Sequence, residues 1–246
     1  ANPPFADWPG GAKLALNFVI NFEEGSEPSI PDGDGVSTAG LTDGPTVPFG
    51  PGERDLAAES MFEYGSRVGF WRLIRLFAER DLPVTMFACA LALERNLPAA
   101  RMIVDAGHDV CCHGWRWVRH YQLDEDGERE HIRRAVESLE RTVGSRPLGW
   151  YCAYSRGVNT RRLLVEEGGF LYDSDAYNDE LPYWTNNHGR PHLVVPYTMA
   201  NNDGNFLRGN FASGEDFYRF MRDGIDQLRA EGDTNAGEAR YEGRLV

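Results

Sequence analysis

The chain has 246 residues, of which 41% are hydrophobic and 12% are aromatic, and its formal net charge is -13. This size and composition fit one large α/β domain over residues 1–246 with a well-filled core. The negative charge argues against a nucleic acid or a membrane surface as partner, because both need a basic face, and it disfavours a polyanionic substrate.

The cysteines and the apolar runs predict where the protein resides. The four cysteines, at positions 89, 111, 112 and 152, form no CxxC pair, which is typical of buried free thiols in a reducing compartment. Residues 1–11 lack the apolar core of a signal peptide, and no apolar run is long enough to span a bilayer. We therefore expect a cytoplasmic protein without a membrane partner.

The first predicted strand ends in two adjacent carboxylates. Residues 2–11 contain prolines and no periodicity, and they are predicted to form an arm on the surface or on a neighbouring subunit. The strand covers residues 13–22 and is followed by Glu23 and Glu24. Residues 25–52 are rich in Gly, Pro, Asp and Thr, and so long a connection is uncommon unless it is functional or disordered. We favour an active-site or subunit-contact loop.

Helices and strands alternate along the rest of the chain. Apolar spacing and capping residues predict helices at residues 66–80, 93–106, 127–143, 159–167 and from residue 213 onward. Short apolar runs predict strands at residues 82–88, 108–112, 147–152, 170–172 and 193–196. This alternation with short links predicts a parallel sheet with right-handed crossovers, and the number of units favours a closed or nearly closed barrel.

Polar residues stand at the carboxyl ends of several predicted strands. They are Glu23, Glu24, His113, Tyr151, Asp173 and Asp175. In a parallel barrel these ends converge on one face, and carboxylates beside an imidazole can activate water, as a general base or through a metal. Each residue alone also has a structural explanation as a loop start, a backbone-bonded histidine or a turn cap. The set at successive strand ends favours an active site.

Four motifs lie at these strand ends. They are Phe22-Glu23-Glu24-Gly25, His113-Gly114-Trp115-Arg116-Trp117, Arg146-Pro147 with Tyr151, and Tyr172-Asp173-Ser174-Asp175. In this order they resemble the four motifs of the polysaccharide deacetylases (carbohydrate esterase family 4, NodB homology fold), with both aspartates of the first motif replaced by glutamates. The resemblance implies an α/β fold, a distorted (β/α) barrel of about seven parallel strands, and a role in carbohydrate metabolism or a related hydrolysis.

Longer strings narrow the resemblance. Residues 63–67, 144–151, 165–175 and 181–184 are similar to the metal-independent allantoinases and related cyclic-imide hydrolases. This implies hydrolysis of a non-peptide C–N bond in a small cyclic amide, such as allantoin, a hydantoin or an imide. It also implies a homotetramer with a TIM-barrel-like fold.

One departure from the family pattern concerns metal binding. Trp117 stands where the second motif normally has its second metal-binding histidine. Glu24 and His113 alone would supply two protein ligands, whereas a divalent metal usually needs three, and His120 would need a shift of the backbone. We therefore expect no cofactor, and Glu24 and His113 as the ligands if zinc binds.

A second departure lies near the end of the chain. The late strand of the family carries a catalytic histidine, whereas residues 237–246 contain none. His188 and His192 are the candidate replacements.

The predicted catalytic residues are the two glutamates and one histidine. Glu23 would deprotonate a water molecule. Glu24 would either hold His113 or raise the pKa of Glu23 by like-charge repulsion. His113 would polarise the carbonyl or protonate the leaving nitrogen.

Six other residues are assigned to the substrate. They are predicted to be Trp117, Trp150, Tyr151, Arg146, Asp173 and Asp175. The three aromatic residues would wall a small dry pocket, and Arg146 would orient Asp173.

Two other functions stay open at this point. The first is metal-dependent N-deacetylation of an acetamido sugar, which needs a metal and an open groove. The second is a catalytically inactive barrel that serves as a binding protein, because of the absent late histidine.

Overall fold

The computed structural model describes residues 8–40, 42, 44 and 49–233. They form two compact units. The larger unit contains residues 18–173 and 186–192, and the smaller unit contains residues 8–17, 174–185 and 193–233. The single domain over the whole chain stays a prediction.

Two sequence predictions concern residues that lie partly or wholly outside the described ranges. Residues 2–7 of the predicted arm lie outside the described residues, and so does the segment 237–246 in which no late histidine was found. Residues 9–11 of the arm form a 3-10 turn.

Seven short strands form one sheet among the described residues, in the order β1-β2-β3-β4-β5-β7-β6. Neighbouring strands from β1 to β5 are parallel, as predicted. The bounds are Val19–Phe22 (β1), Thr85–Ala88 (β2), Asp109–Cys112 (β3), Gly149–Trp150 (β4), Tyr172–Asp173 (β5), Tyr183–Thr185 (β6) and His192–Val194 (β7).

The register places the last residues of the first five strands in one row. Phe22 pairs with Ala88, Ala88 with Cys112, Cys112 with Trp150, and Trp150 with Asp173. The residue that follows each strand therefore leaves the sheet at the same edge. This edge is where an α/β sheet offers room for a ligand.

Seven α-helices are found in the described part of the chain. Their bounds are Leu56–Tyr64 (α1), Phe70–Ala78 (α2), Ala90–Arg95 (α3), Leu97–Asp105 (α4), Glu125–Val143 (α5), Thr160–Glu167 (α6) and Gly214–Asp233 (α7). A π-helical turn, Gly65–Gly69, joins α1 to α2.

The helix predicted at residues 93–106 is interrupted. It consists of α3 and α4, which meet at Asn96. Asn96 has non-helical backbone angles, and its side chain accepts a hydrogen bond from the Ala99 amide at 3.2 Å. Pro98 is tolerated in the first turn of the new helix because its missing N–H would have no partner there.

The core of the larger unit lies between the sheet and the helices. Phe22, Met86, Cys112, Trp150 and Leu163 are fully or almost fully buried in it. All four cysteines are free and buried, as expected. None of the helices in the described ranges is long and apolar enough to cross a membrane.

Ion pairs anchor the beginning of the long segment after β1. Asp32 accepts hydrogen bonds from Arg95 at 2.6 and 2.9 Å, and Asp34 accepts from Arg116 at 2.6 and 2.8 Å. Arg116 also donates to the carbonyl oxygen of Glu27 at 2.9 Å. The segment beside the acidic strand end is thus held against the unit that carries β1.

Candidate active site

Three predicted site residues leave the sheet at the same edge. Glu23 follows β1, His113 follows β3 and Tyr151 follows β4. The amide of His113 donates to the Ala88 carbonyl at 2.9 Å, and the amide of Tyr151 donates to the Cys112 carbonyl at 2.9 Å. These bonds extend the ladder by one residue and fix the two backbones, so the side chains start from defined positions.

His113 uses both ring nitrogens. Nδ1 lies 2.7 Å from the carbonyl oxygen of Tyr151, and Nε2 lies 2.8 Å from Oε1 of Glu23. Because a carbonyl only accepts hydrogen bonds, Nδ1 carries a proton. The contact with Glu23 then needs one more proton, on Nε2 or on the carboxyl group. The pair is either imidazolium with carboxylate or imidazole with carboxylic acid, and in both forms one proton is shared.

The two oxygens of Glu23 have different surroundings. Oε1 accepts from His113 and also from the amide group of Asn21 at 3.0 Å. Oε2 accepts no hydrogen bond from residues in the described ranges, and the Glu23 side chain is 26% exposed. One oxygen is therefore held in place while the other is open to water.

Asn21 is a site residue that the sequence analysis did not identify. Side chains two residues apart on a strand lie on the same side of the sheet, and Asn21 ends up beside Glu23 for this reason. The alternation along β1 was the signal that could have found it.

Aromatic rings surround the imidazole. The rings of His113 and Tyr151 are stacked, with centroids 5.2 Å apart and planes 6° apart, and Phe87 lies 4.9 Å from the Tyr151 ring. His113 itself is buried. The Glu23–His113 contact therefore forms in surroundings of low polarity, where electrostatic interactions are stronger than in water.

Glu24 turns towards the π-helical turn. Its carboxyl group lies against Gly65, where any side chain would overlap it, and its Oε2 accepts from the Glu23 amide at 3.3 Å. Burial, and to a smaller extent the neighbouring charges of Glu23 and Glu27, raise the pKa of Glu24 to about 7. Single π-helical turns inside helices are frequent at functional sites.

The predicted role of Glu24 is corrected in part. The carboxylate that holds His113 is Glu23 and not Glu24. Like-charge repulsion from Glu23 contributes to the raised pKa of Glu24.

The raised pKa of Glu24 predicts a pH-dependent stability. Between pH 4.5 and about 7 the folded chain holds this proton and the unfolded chain releases it, so the free energy of unfolding falls as the pH rises through this window. We expect this rise in pH to lower the free energy of unfolding of the wild-type protein by about 1–3 kcal/mol. Glu24→Gln should remove that decrease. Urea unfolding of both proteins at pH 4.5 and pH 8 measures this. An equal difference between them at both pH values would contradict a Glu24 that titrates in the window.

The chain is similar to known proteins over most of its length. Residues 53–172 match the family model "Polysaccharide deacetylase". A Schizosaccharomyces pombe protein named "Putative polysaccharide deacetylase" is 35% identical over 244 residues, which cover 92% of this chain and 76% of that protein. The chain belongs to the polysaccharide deacetylase family. The predicted resemblance is thereby confirmed.

Two solved structures extend the comparison to the fold. One is PuuE allantoinase, 45% identical, with a TM-score of 0.89 over 100% of this chain and 80% of that chain. The other is a probable polysaccharide deacetylase from Pseudomonas aeruginosa PAO1, 44% identical, with a TM-score of 0.90 over 99% of this chain and 80% of that chain. They confirm the distorted barrel. This polysaccharide deacetylase family member is a hydrolase of C–N bonds, as predicted.

The aspartate of the fourth family motif has a partner that the sequence analysis did not assign. Asp173 accepts two hydrogen bonds from Arg161, each of 2.7 Å, and its Oδ2 lies 2.9 Å from Nε2 of His192. The Asp173 carboxylate is buried, and these hydrogen bonds hold its pKa below the ordinary value although desolvation opposes them. His192, a predicted replacement for the late histidine, thus contacts a predicted site carboxylate.

Arg146 does not orient Asp173, so that prediction is wrong. Its guanidinium pairs with Glu167 and lies 5.5 Å from the centre of the Phe170 ring. Arg146 also lines a surface cleft of about 410 Å³ between α5 and α6. The motif places Arg146 near β4 in sequence, but its side chain lies beside the helices α5 and α6 of the larger unit.

Trp150 is a core residue and not a pocket wall. Its side chain is fully buried, and its indole N–H donates to Sγ of Cys152 at 3.1 Å. Tyr151, the next residue, stacks on His113. Asp175 is buried and belongs to the smaller unit, and His188 is exposed.

The side chains around His113 do not fit a divalent metal. Within residues 8–40, 42, 44 and 49–233, no three His, Cys, Asp or Glu side chains form a group that could hold a metal ion. Trp117 offers only an N–H donor where the family has a histidine. His120 is fully buried, with Nδ1 3.3 Å from Oε1 of Glu128 and with Nε2 lacking a hydrogen-bond partner among the described residues, and it joins no group of three potential ligands there.

Proposed function

We propose that the protein opens the ring of a small cyclic amide with water that the Glu23–His113 pair activates. The observation that carries this proposal is the pair itself, with Nδ1 of His113 bonded to a carbonyl and Nε2 to Glu23. The 45% identity with PuuE allantoinase over the whole of this chain supports a ring substrate. The donor set that does not fit a metal supports chemistry by the two side chains alone.

The first step is the attack of water on the ring carbonyl. The open Oε2 of Glu23, in the carboxylate form, takes one proton from the water. The water oxygen forms a bond to the carbonyl carbon, and the C=O electron pair moves onto the carbonyl oxygen. The Glu23–His113 pair now holds two protons instead of one.

The second step is the departure of the ring nitrogen. The carbonyl re-forms, the C–N bond breaks, and one proton passes from the pair to the nitrogen. The pair returns to one shared proton, and the product is a ring-opened carboxylic acid. The carbonyl of Tyr151 keeps the second ring nitrogen protonated throughout, so the imidazole presents the same nitrogen to Glu23 in both steps.

A substrate panel tests this function. The purified protein is incubated with allantoin, hydantoin, succinimide and N-acetylglucosamine oligomers, and the ring-opened acid and acetate are quantified. We expect a ring-opened acid from at least one ring amide and no acetate. Acetate release from the oligomers, without ring opening, would favour the second candidate, a deacetylase of acetamido sugars, for which the name of the Pseudomonas aeruginosa structure, a probable polysaccharide deacetylase, gives support.

The assembly and location stay predictions. A homotetramer and a cytoplasmic location were expected from the sequence. Light scattering on the purified protein measures the first, and fractionation of cells that express the full chain measures the second.

A further inference from the structure

Tyr154 has an unusual backbone. Within the described ranges, two residues other than glycine have a positive φ, Asp81 at 52° and Tyr154 at 64°. Aspartate is enriched in this region of backbone space, whereas a bulky residue there is an outlier. Strained residues of this kind persist where the surrounding structure holds them, often at ligand sites.

The ring of Tyr154 is an exposed part of the site region. It is 47% exposed and lies 4.8 Å from the Trp117 ring, which is only 7% exposed. The amide of Trp117 donates to the carbonyl of Ser26 at 3.2 Å, three residues after Glu23. Tyr154 therefore presents part of its ring to solvent next to the residue that replaces the family's second histidine.

A cation lies over this ring. The guanidinium carbon of Arg119 lies 5.2 Å from the centre of the Tyr154 ring, and Arg119 is exposed with no carboxylate partner in the described part of the chain. Burial, and to a smaller extent the charge of Glu23, raise the pKa of Tyr154, which Arg119 opposes. The phenol is therefore neutral at neutral pH and can donate a hydrogen bond, and it lies close enough to feel the charge of Glu23.

We propose that Tyr154 and Arg119 form the substrate-binding wall that selects a planar ring with a second carbonyl. The exposed part of the Tyr154 ring contacts the substrate ring, and the phenol and guanidinium donate to the carbonyl oxygen that is not attacked. A ring bearing several carbonyl oxygens matches two donors, since neither side chain has to accept. This inference rests on the proposed ring-opening function.

A pair of substrates isolates this contact. Succinimide has two ring carbonyls, whereas 2-pyrrolidone has one and is otherwise of the same size. For Tyr154→Phe and Arg119→Gln we expect KM for succinimide to rise about five- to tenfold, the loss of one hydrogen bond, with kcat within threefold. KM for 2-pyrrolidone should stay unchanged, as no second carbonyl is present. An equal effect on both substrates would show a merely structural role and overturn the inference.

Asp81→Gly is the matched control for the backbone. Asp81 has the same unusual backbone region but lies in the turn after α2. Tyr154→Gly should raise KM for succinimide more than Tyr154→Phe does, because the aromatic face is lost as well. Asp81→Gly should leave KM unchanged. An equal rise of KM in both glycine variants would overturn the inference.

A binding measurement separates this inference from the proposed function. If the wild-type protein opens no ring amide, the proposed function fails. Calorimetry with succinimide on Glu23→Gln, with and without Tyr154→Phe, then tests the wall alone. Weaker binding to the double variant supports the inference, and equal or absent binding overturns it.

Discussion

Glu23→Gln is expected to lower kcat for ring opening by a factor of about 10²–10⁴, the usual contribution of a general base. The glutamine keeps the shape of the side chain and can still contact Nε2 of His113, but its amide cannot take a proton from water. The measurement is the initial rate with the ring amide that the wild-type protein opens fastest, at saturating substrate.

Glu63→Gln is the control for this variant. Glu63 is an exposed carboxylate on α1 that pairs with Arg67 at 2.7 Å, and its loss should leave kcat unchanged. Circular dichroism should show both variants folded. A folded Glu23→Gln that retains wild-type kcat would remove Glu23 from the mechanism.

Arg161→Met is expected to destabilise the fold by about 3–5 kcal/mol, because it leaves the buried Asp173 carboxylate without its two-bond partner. Urea unfolding at pH 7 measures the free energy of unfolding. The loss should shrink as the pH falls. The pKa of Asp173 is depressed in the intact fold, and an unpaired Asp173 takes up a proton more readily, which neutralises the buried charge.

Arg146→Met is the matched control. Its ion pair with Glu167 is partly exposed on both sides, and such pairs contribute about 0–1 kcal/mol. The sequence motif assigned Arg146 to Asp173, whereas the structure assigns Arg161, so the two variants decide between them. A larger loss in Arg146→Met than in Arg161→Met would contradict the structural assignment.

The sequence predicted that the acidic pair and His113 lie at the same edge of the sheet, because the positions of all three depend on the strands. Strands β1 and β3 end in the same row, and residues after such ends share an edge. Periodicity and chain order are sufficient for that step. The glutamate considered as the partner of the histidine was Glu24, whereas Glu23 is the partner in the structure, because strand order does not decide which of two adjacent residues turns towards it.

Side-chain partners on helices were beyond the sequence argument. Arg161 stands in the first turn of α6, 12 residues before Asp173, and which arginine reaches the carboxylate depends on how the helix packs. The sequence also contained a reason not to assign Trp150 to the substrate pocket. Neighbouring residues on a strand point to opposite faces, so Trp150 and Tyr151 cannot both line one pocket. The tryptophan, as the more apolar of the two, faces the core.

The interruption between α3 and α4 could also have been predicted from the sequence. Asn96 and Pro98 together form a helix start inside an apolar pattern that otherwise continues. A residue that caps and a proline two positions later outweigh the periodicity. The positive φ of Tyr154 has no such signal, because nothing in the neighbouring sequence calls for a tyrosine in that backbone region.

The most direct test of the account is ring opening by protein from which metal has been removed. The purified chain is dialysed against a chelator, its zinc content is measured, and the rate with the best ring amide is compared before and after zinc is restored. The Glu23–His113 pair predicts the same rate in both samples. A rate that vanishes on dialysis and returns in proportion to added zinc would contradict a mechanism carried by these two side chains.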